Sequence, residues 1–524
     1  MASGTGGSSW RLWYSVGWWL FNLALALPTT AWGLSSDDVA CGGRVEVEAW
    51  RTWQSVSRPL LEDDLLRQRL VGRRDTYALY DFQSYTQNIV AMARRCHRMG
   101  RLREIAALVE GAYASLEARS FPAKGRGWVC RGGAICTARN GLLDNEVTLC
   151  SLQFLGLATA LASALAADGS RIDAQDIAFI RETLNVALEH LLHWATESVT
   201  KSIVQAAQAA PNEVIDGSSK LLFTDKPLWL IGVYAEVAGV LAAIGDRDLK
   251  AVSISAGDVL RLQRHYQALI HLFFARISLE NATKDGERLG TVADLDRGYW
   301  RLYSDNRFAA YTGEQKPVLC ETGSGGVTRP KAVVDPATVP LLSSAGWDIS
   351  HARRLVHVLD ALDRNRTAIA AMWGSRDFRV PLSTVQSTFA NSLLVRIWNG
   401  DSNYPLFSNY FSGANGWYRV AYDNGTGQCR EGTPPYALTS SFPTGGYISW
   451  SKYHARIGQL GSQLYRLYES THPADVAFVE HYYPDFSGRA SPRTVALSRL
   501  MFLPTLVGGS DAQLSVPGAR TFKH

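Results

Sequence analysis

Apolar residues recur at steps of three and four along most of the chain beyond about residue 44. That spacing gathers them on one face of an α-helix. Within 446–469, Trp450, Tyr453, Ile457, Leu460, Leu464 and Leu467 make one continuous stripe. Within 346–363, His351, Leu355, Val358, Leu359 and Leu362 do the same, so His351 opens a buried face. The pattern predicts helices over about 46–70, 76–98, 101–118, 143–167, 173–198, 225–245, 257–279, 346–363, 381–397, 446–469 and 491–503. Strand signals are few and short, and Thr439 to Ile448, with Pro443 and Gly445-Gly446, reads as loop. Several junctions are tight, as at Gly72–Asp75 and Met99-Gly100, whereas 119–142, 280–345 and 399–445 are long. Short links at one end and long loops at the other predict an all-α fold. Helical hairpins would pack side by side as an α/α toroid, incomplete or full, with the long loops around one mouth. No Ser/Gly linker divides residues 34–524, which are therefore expected to form a single domain.

The first 33 residues break this pattern. Arg11 is the only charge ahead of an apolar run from Leu12 to Leu27, Pro28 ends the run, and Ala31-Trp32-Gly33 places small residues at a cleavage site. This predicts a secretory signal peptide over 1–33, cut after Gly33, with an uncleaved membrane anchor as the alternative. No later segment offers an uninterrupted apolar run of membrane length, so contact with a membrane is expected only through this segment. The expected location is periplasmic or secreted.

Seven cysteines, 41, 96, 130, 136, 150, 320 and 429, fit a chain that can keep disulfides after export. Cys130 and Cys136 flank a short flexible loop and are expected to pair, and Cys320 can pair with Cys429 because both lie in loops. Cys96 and Cys150 fall in helical patterns and read as buried thiols. The odd count leaves at least one unpaired. No Cys/His cluster has ligand spacing, so neither a metal nor another cofactor is expected.

The chain has 524 residues, 46% hydrophobic and 19% charged, with a net charge of +5 and no dense Lys/Arg stripe. This argues against nucleic acid as a partner. The 16 Trp and 21 Tyr matter more, because many fall in the long loops. Tyr299-Trp300-Arg301 and Tyr303-Ser304-Asp305-Asn306-Arg307 precede the helix that Asp348, Ser350 and His351 open. A second aromatic loop follows with Asn409, Tyr410, Asn415, Trp417, Tyr418, Arg419, Tyr422 and Asp423, and Tyr447 and Trp450 continue it. Aromatic platforms, amides and Arg between helices suit a cleft for a sugar polymer. Asp348 and His351 are three apart, on one helical face, where Asp348 or Ser350 can cap the helix and His351 can act as a base. His190 and His193 lack a third ligand and read as structural.

These segments resemble the α/α-toroid polysaccharide lyases, the alginate-lyase-like group in its broad sense. The resemblance is carried by Tyr299-Trp300, Asp305-Asn306, Trp347-Asp348-Ile349-Ser350-His351 and the loop 409–422. The close-set Asn-Asn-His pattern of some members is absent. The resemblance implies a polysaccharide substrate, anionic where it carries uronic acids, cleaved by β-elimination. Asn306 and Arg307 would neutralise the uronate carboxylate, His351 beside Asp348 would be the base, and Tyr303 or Tyr410 the acid. Trp300, Trp417 and Trp450 would stack on sugar rings, with Tyr299, Arg301, Asn409, Asn415, Tyr418 and Tyr447 completing the cleft. Two alternatives stay open. A glycoside hydrolase on the same fold would pair Asp144 or Glu146 with Asp305, Asp348 or Asp423. A periplasmic polysaccharide-binding or export-assembly protein would hold the polymer without cleaving it.

Overall fold

The computed structural model describes residues 34–119, 125–169, 172–213, 222–244, 254–284, 287–299, 306–374 and 381–508. Helix accounts for 61% and strand for 9%, so the fold is mainly helical with small sheets rather than purely helical. The predicted signal segment lies outside the described residues.

Most helices form where the periodicity places them, including Tyr77–Arg95, Met99–Tyr113, Thr148–Ala166, Ala174–Trp194, Asp225–Ile244, Ala256–Arg276 and Pro492–Leu506. Their starts carry the expected caps. Asp173, Ser255 and Ser491 each accept a backbone N–H of the first turn. The predicted 346–363 helix is broken at Arg353 into Ile349–Ala352 and Arg354–Arg364. The predicted 446–469 helix begins as a 3-10 turn, Tyr447–Lys452, before Ala455–Glu469. Glu197–Gln208, Arg366–Trp373 and Pro473–Tyr482 are helices that the reading of the sequence passed over.

The largest departure is in the long 280–345 loop. Ile277–Lys284 pairs antiparallel with Glu287–Leu295, from Ile277 opposite Leu295 to Lys284 opposite Glu287, with a bulge at Ala282/Thr283. Val318–Thr322 pairs with Thr328–Ala332 in a second hairpin. Val292, Ala293, Asp294 and Leu295 of the first hairpin are all buried, and Ser392 on the Leu382–Ser392 helix both donates to Ala293 O and accepts from Ala293 N. A sheet stabilised by such tertiary contacts gives only a weak period-two signal in sequence.

Thr148–Ala166 and Asp225–Ile244 are apolar on every side and long enough to cross a membrane, which departs from the expectation that no later segment qualifies. In the fold they are core helices, with 89% and 72% of their apolar windows buried. They approach closely because Gly156 faces Trp229, where a Cβ would stand 2.7 Å from the indole ring.

Four helices run in one direction. At their N-terminal ends Arg354 donates to Tyr80 Oη at 2.9 Å and lies 3.5 Å from Asp225, while Cys150 packs with Tyr77 and Tyr80. Toward their C-terminal ends Arg94 pairs with Asp360 and Arg364 with Glu236. The 77–95 helix thus packs on 148–166, that on 225–244, and that on 354–364. The 492–506 helix also packs on 77–95, where Asn88 Nδ2 donates to Met501 O at 2.6 Å.

Three disulfides form: Cys41–Cys96, Cys130–Cys136 and Cys320–Cys429. Cys150 is a buried free thiol. Cys96 is therefore no buried thiol, because the 77–95 helix ends at it and turns its sulfur toward the N-terminal segment. Three bridges fit an oxidising compartment.

Candidate active site

The Asp348–His351 segment is pinned from behind. Ile349 N donates to Asn409 O, Phe411 N to Trp347 O, and Tyr447 Oη to Ile349 O. Asp348 is fully buried and caps the short helix. One carboxylate oxygen accepts Ser350 N and His351 N, each at 3.0 Å, and the other lies 2.6 Å from His351 Nδ1. Burial alone would raise this carboxyl. His351, with help from Ser350 and Arg419, outweighs burial and holds it well below the usual carboxylate range. An ionised Asp348 can only accept, so the proton of a neutral His351 sits on Nδ1 and leaves Nε2 as a lone-pair nitrogen.

Two residues of the 409–433 loop face that nitrogen and its partner. Arg419 Nη2 lies 3.4 Å from His351 Nε2, and Arg419 Nε donates to Tyr418 Oη at 2.8 Å. Tyr418 Oη is 3.4 Å from His351 Nδ1. Arg419 holds this place with a left-handed backbone, φ 53°. For a non-glycine residue that costs on the order of 1–2 kcal/mol, which surrounding structure must offset. Tyr418 and Thr433 exchange both backbone hydrogen bonds, Ala421 N donates to Arg430 O, and Cys429 is bridged to Cys320. The guanidinium lies 4.4 Å from the Tyr422 ring centroid, which fixes it further.

Below the dyad is the junction of the four helix starts. Each start carries a partial positive charge. Arg354 sits among them, 5% exposed, and its Nε has no hydrogen-bond partner among the described residues. Tyr80 and Tyr77 flank it, and burial, with the nearby Cys150, pushes the Tyr77 phenol up to about 12. Tyr77 is therefore held neutral, and Asp225 already answers the Arg354 charge.

The structure brings Asp348, His351 and Tyr418 together, with Tyr410 directly behind. The Tyr410 ring is 6.1 Å from that of Tyr418, and its hydroxyl is 3.1 Å from Trp417 O and 3.4 Å from Asn306 Oδ1. Several expected contacts are corrected by burial. Tyr410 is fully buried, and Trp417 and Trp450, expected to stack on sugars, are packed in the interior at 3% and 1% exposure. Trp417 Nε1 donates to Gly313 O. Asn306 is buried, and Arg307 donates to Val339 O and Pro336 O rather than facing the dyad. Asn409 and Asn415 shape the loop: Asn409 Nδ2 donates to Gly416 O and Pro434 O, and Asn415 Oδ1 accepts from Asn409 N and Tyr436 N. Tyr447 supports the dyad helix from below, and Tyr299 Oη donates to Ala209 O away from it. Trp300, Arg301, Tyr303 and Asp305 lie outside the described residues.

The carboxylates of the hydrolase alternative are engaged separately. Asp144 pairs with exposed Arg131, Glu146 lies 3.2 Å from buried His190, and Asp423 accepts Gly425 N within its own turn. Reading the sequence missed Arg354 as a site residue, and it placed Arg419 in the candidate loop without giving it a role. Arg354 had a local signal, three positions beyond His351 on its helical face. Arg419 had none beyond its aromatic neighbours, since its backbone conformation is imposed by tertiary contacts. No family model, curated protein or solved structure matches the chain.

Proposed function

We propose that this chain is an exported polysaccharide-active enzyme, built as an α/α toroid, that cleaves a uronic-acid-containing polysaccharide by β-elimination. The observation that carries the reading is the buried Asp348 on His351 Nδ1 with Arg419 poised at Nε2. The toroid is supported by the order of packing. Four co-directional helices follow one another, the 492–506 helix returns to the first, and helices 99–113, 174–194 and 256–276 alternate with them in sequence.

In this reading a uronate carboxylate binds Arg419. Drawing the Arg419 guanidinium onto the carboxylate uncovers His351 Nε2. That nitrogen takes the C5 proton, whose acidity the neutralised carboxylate has raised. The C5–H electron pair forms the C4–C5 double bond as the C4–O bond breaks. Tyr418 Oη protonates the departing oxygen. Asp348 keeps the imidazole in its tautomer and stabilises the imidazolium. Tyr422, half-buried beside Arg419, is the ring best placed to meet a sugar face.

The test is ultraviolet absorbance while the purified mature protein meets a panel of uronate polymers. A rise, from the unsaturated product end, supports elimination and names the substrate. Silence with a positive reducing-end assay replaces elimination by hydrolysis. Silence in both, with retained polymer binding, leaves the binding or assembly role.

A further inference from the structure

At the opposite ends of the same helices lies a second cavity, of about 460 Å³, lined among others by Arg94, Arg95, His357, Asp360, Trp450 and Lys452. Tyr80 and Arg94 share one helix, fourteen residues apart, which puts roughly 21 Å between this cavity and the candidate active site. Its charges do not balance. Arg94, Arg364 and Lys452 all converge on Asp360, and Arg364 also takes Glu236. Arg95 has no carboxylate partner among the described residues, and its guanidinium donates only to Pro504 O and Val507 O. Those carbonyls end the 492–506 helix and carry only about half a negative charge between them. Among the lining groups, three cations, Arg94, Arg95 and Lys452, thus face one carboxylate, Asp360, where an uncompensated buried charge is costly.

Burial acts on the same groups. Burial pushes Arg95 down to about 10 despite Asp360, and burial, then Arg364, lowers Arg94. Burial, ahead of the surrounding Arg residues, drives His357 down to about 3, so it adds no charge. Val356 and Ala91 give the cavity an apolar wall. Its volume falls within the range of small-molecule sites, roughly 300–1,000 Å³.

We propose that this cavity binds a small organic oxyanion, a carboxylate or phosphate on a body of one or two rings, separately from the candidate active site. The acid group meets Arg95, which has no carboxylate partner among the described residues, and Lys452, which shares Asp360 with Arg94 and Arg364, and the body lies along the Ala91 and Val356 wall. The proposal does not depend on the lyase reading.

Calorimetric titration of the full chain with glucuronic acid, glucose 1-phosphate and neutral glucose tests it. Expected is binding of at least one acid probe, weakened by salt, with no binding of glucose; which acid binds identifies the oxyanion. Arg95→Gln and Lys452→Gln should each weaken it about tenfold or more, the loss typical of a charge-assisted contact. Arg95 also ties two helix ends together, so Lys452→Gln, whose side chain is 34% exposed, carries the test if Arg95→Gln does not fold. His351→Ala and Arg419→Ala should leave this binding unchanged. The proposal is overturned if no acid probe binds at millimolar concentration, if glucose binds as well, if Lys452→Gln binds like the parent, or if His351→Ala abolishes binding.

Discussion

Asp348→Asn separates what the carboxylate does for the fold from what it does for His351. Asparagine keeps an oxygen for Ser350 N and His351 N, so the helix cap survives almost unchanged. The second oxygen, 2.6 Å from His351 Nδ1, becomes an NH₂ donor. Facing a donor, the imidazole must move its proton to Nε2, which removes the base. A charge-assisted hydrogen bond is replaced by a neutral one, a loss of about 1–1.5 kcal/mol. Turnover should fall far more, by roughly 10⁴-fold, the size of effect that a wrong imidazole tautomer has in a Ser-His-Asp site. The stability difference also has a signed pH dependence. The folded Asp348 carboxyl lies below its unfolded value of about 3.9, so its contribution is complete above about pH 5 and is lost as pH falls through the folded value. The gap between parent and variant in urea melts should therefore begin to narrow as pH falls below about 4. Imidazole nitrogen chemical shifts report the tautomer directly. A variant that still carries its proton on Nδ1, or that turns over within about tenfold of the parent, refutes the argument.

Arg419→Gly should be about 1 kcal/mol more stable than Arg419→Ala in denaturant melts, because only glycine takes φ 53° without strain, while both lose turnover. Equal stabilities would mean that the backbone there is not held left-handed. Replacing both Cys320 and Cys429 by Ser should cost about 2–4 kcal/mol and lower turnover, since this bridge anchors the loop that carries Arg419. Unchanged melting would show that the loop is held without it. Thiol titration without reductant should find no reactive cysteine in the native protein and one, Cys150, after unfolding, because burial raises that thiol well above its ordinary value. A second thiol in the unfolded protein would break the pairing scheme.

Most helices were legible because each buries one stripe, and the stripe is a local property of sequence. Asp348 was legible as a cap for the same reason. The bridges Cys130–Cys136 and Cys320–Cys429 were approachable because both partners fall outside the helical patterns. Cys41–Cys96 was not, since its geometry depends on how the 77–95 helix ends against a distant segment. The aromatic loop misled in an instructive way. Tyr410, Trp417 and Tyr447 are there to fold the loop inward, and a ring that fills the core and a ring that meets a sugar look alike in sequence. The junction around Arg354 was invisible because it arises where four helices, far apart in the chain, begin side by side.

The contacts between helices 77–95 and 492–506 also set an order of events during synthesis. Asn88 and Arg95 find their carbonyl partners at Met501, Pro504 and Val507, more than 400 residues later. Until those residues leave the ribosome, an early helix carries an amide and a guanidinium that the interior cannot accommodate unpaired. The helices between can form and pair locally, but the last seam waits for the end of the chain. A nascent chain halted before residue 492 should thus remain a substrate for holding chaperones, and release of the final helix, rather than any central one, should be the step that commits the molecule to its native state.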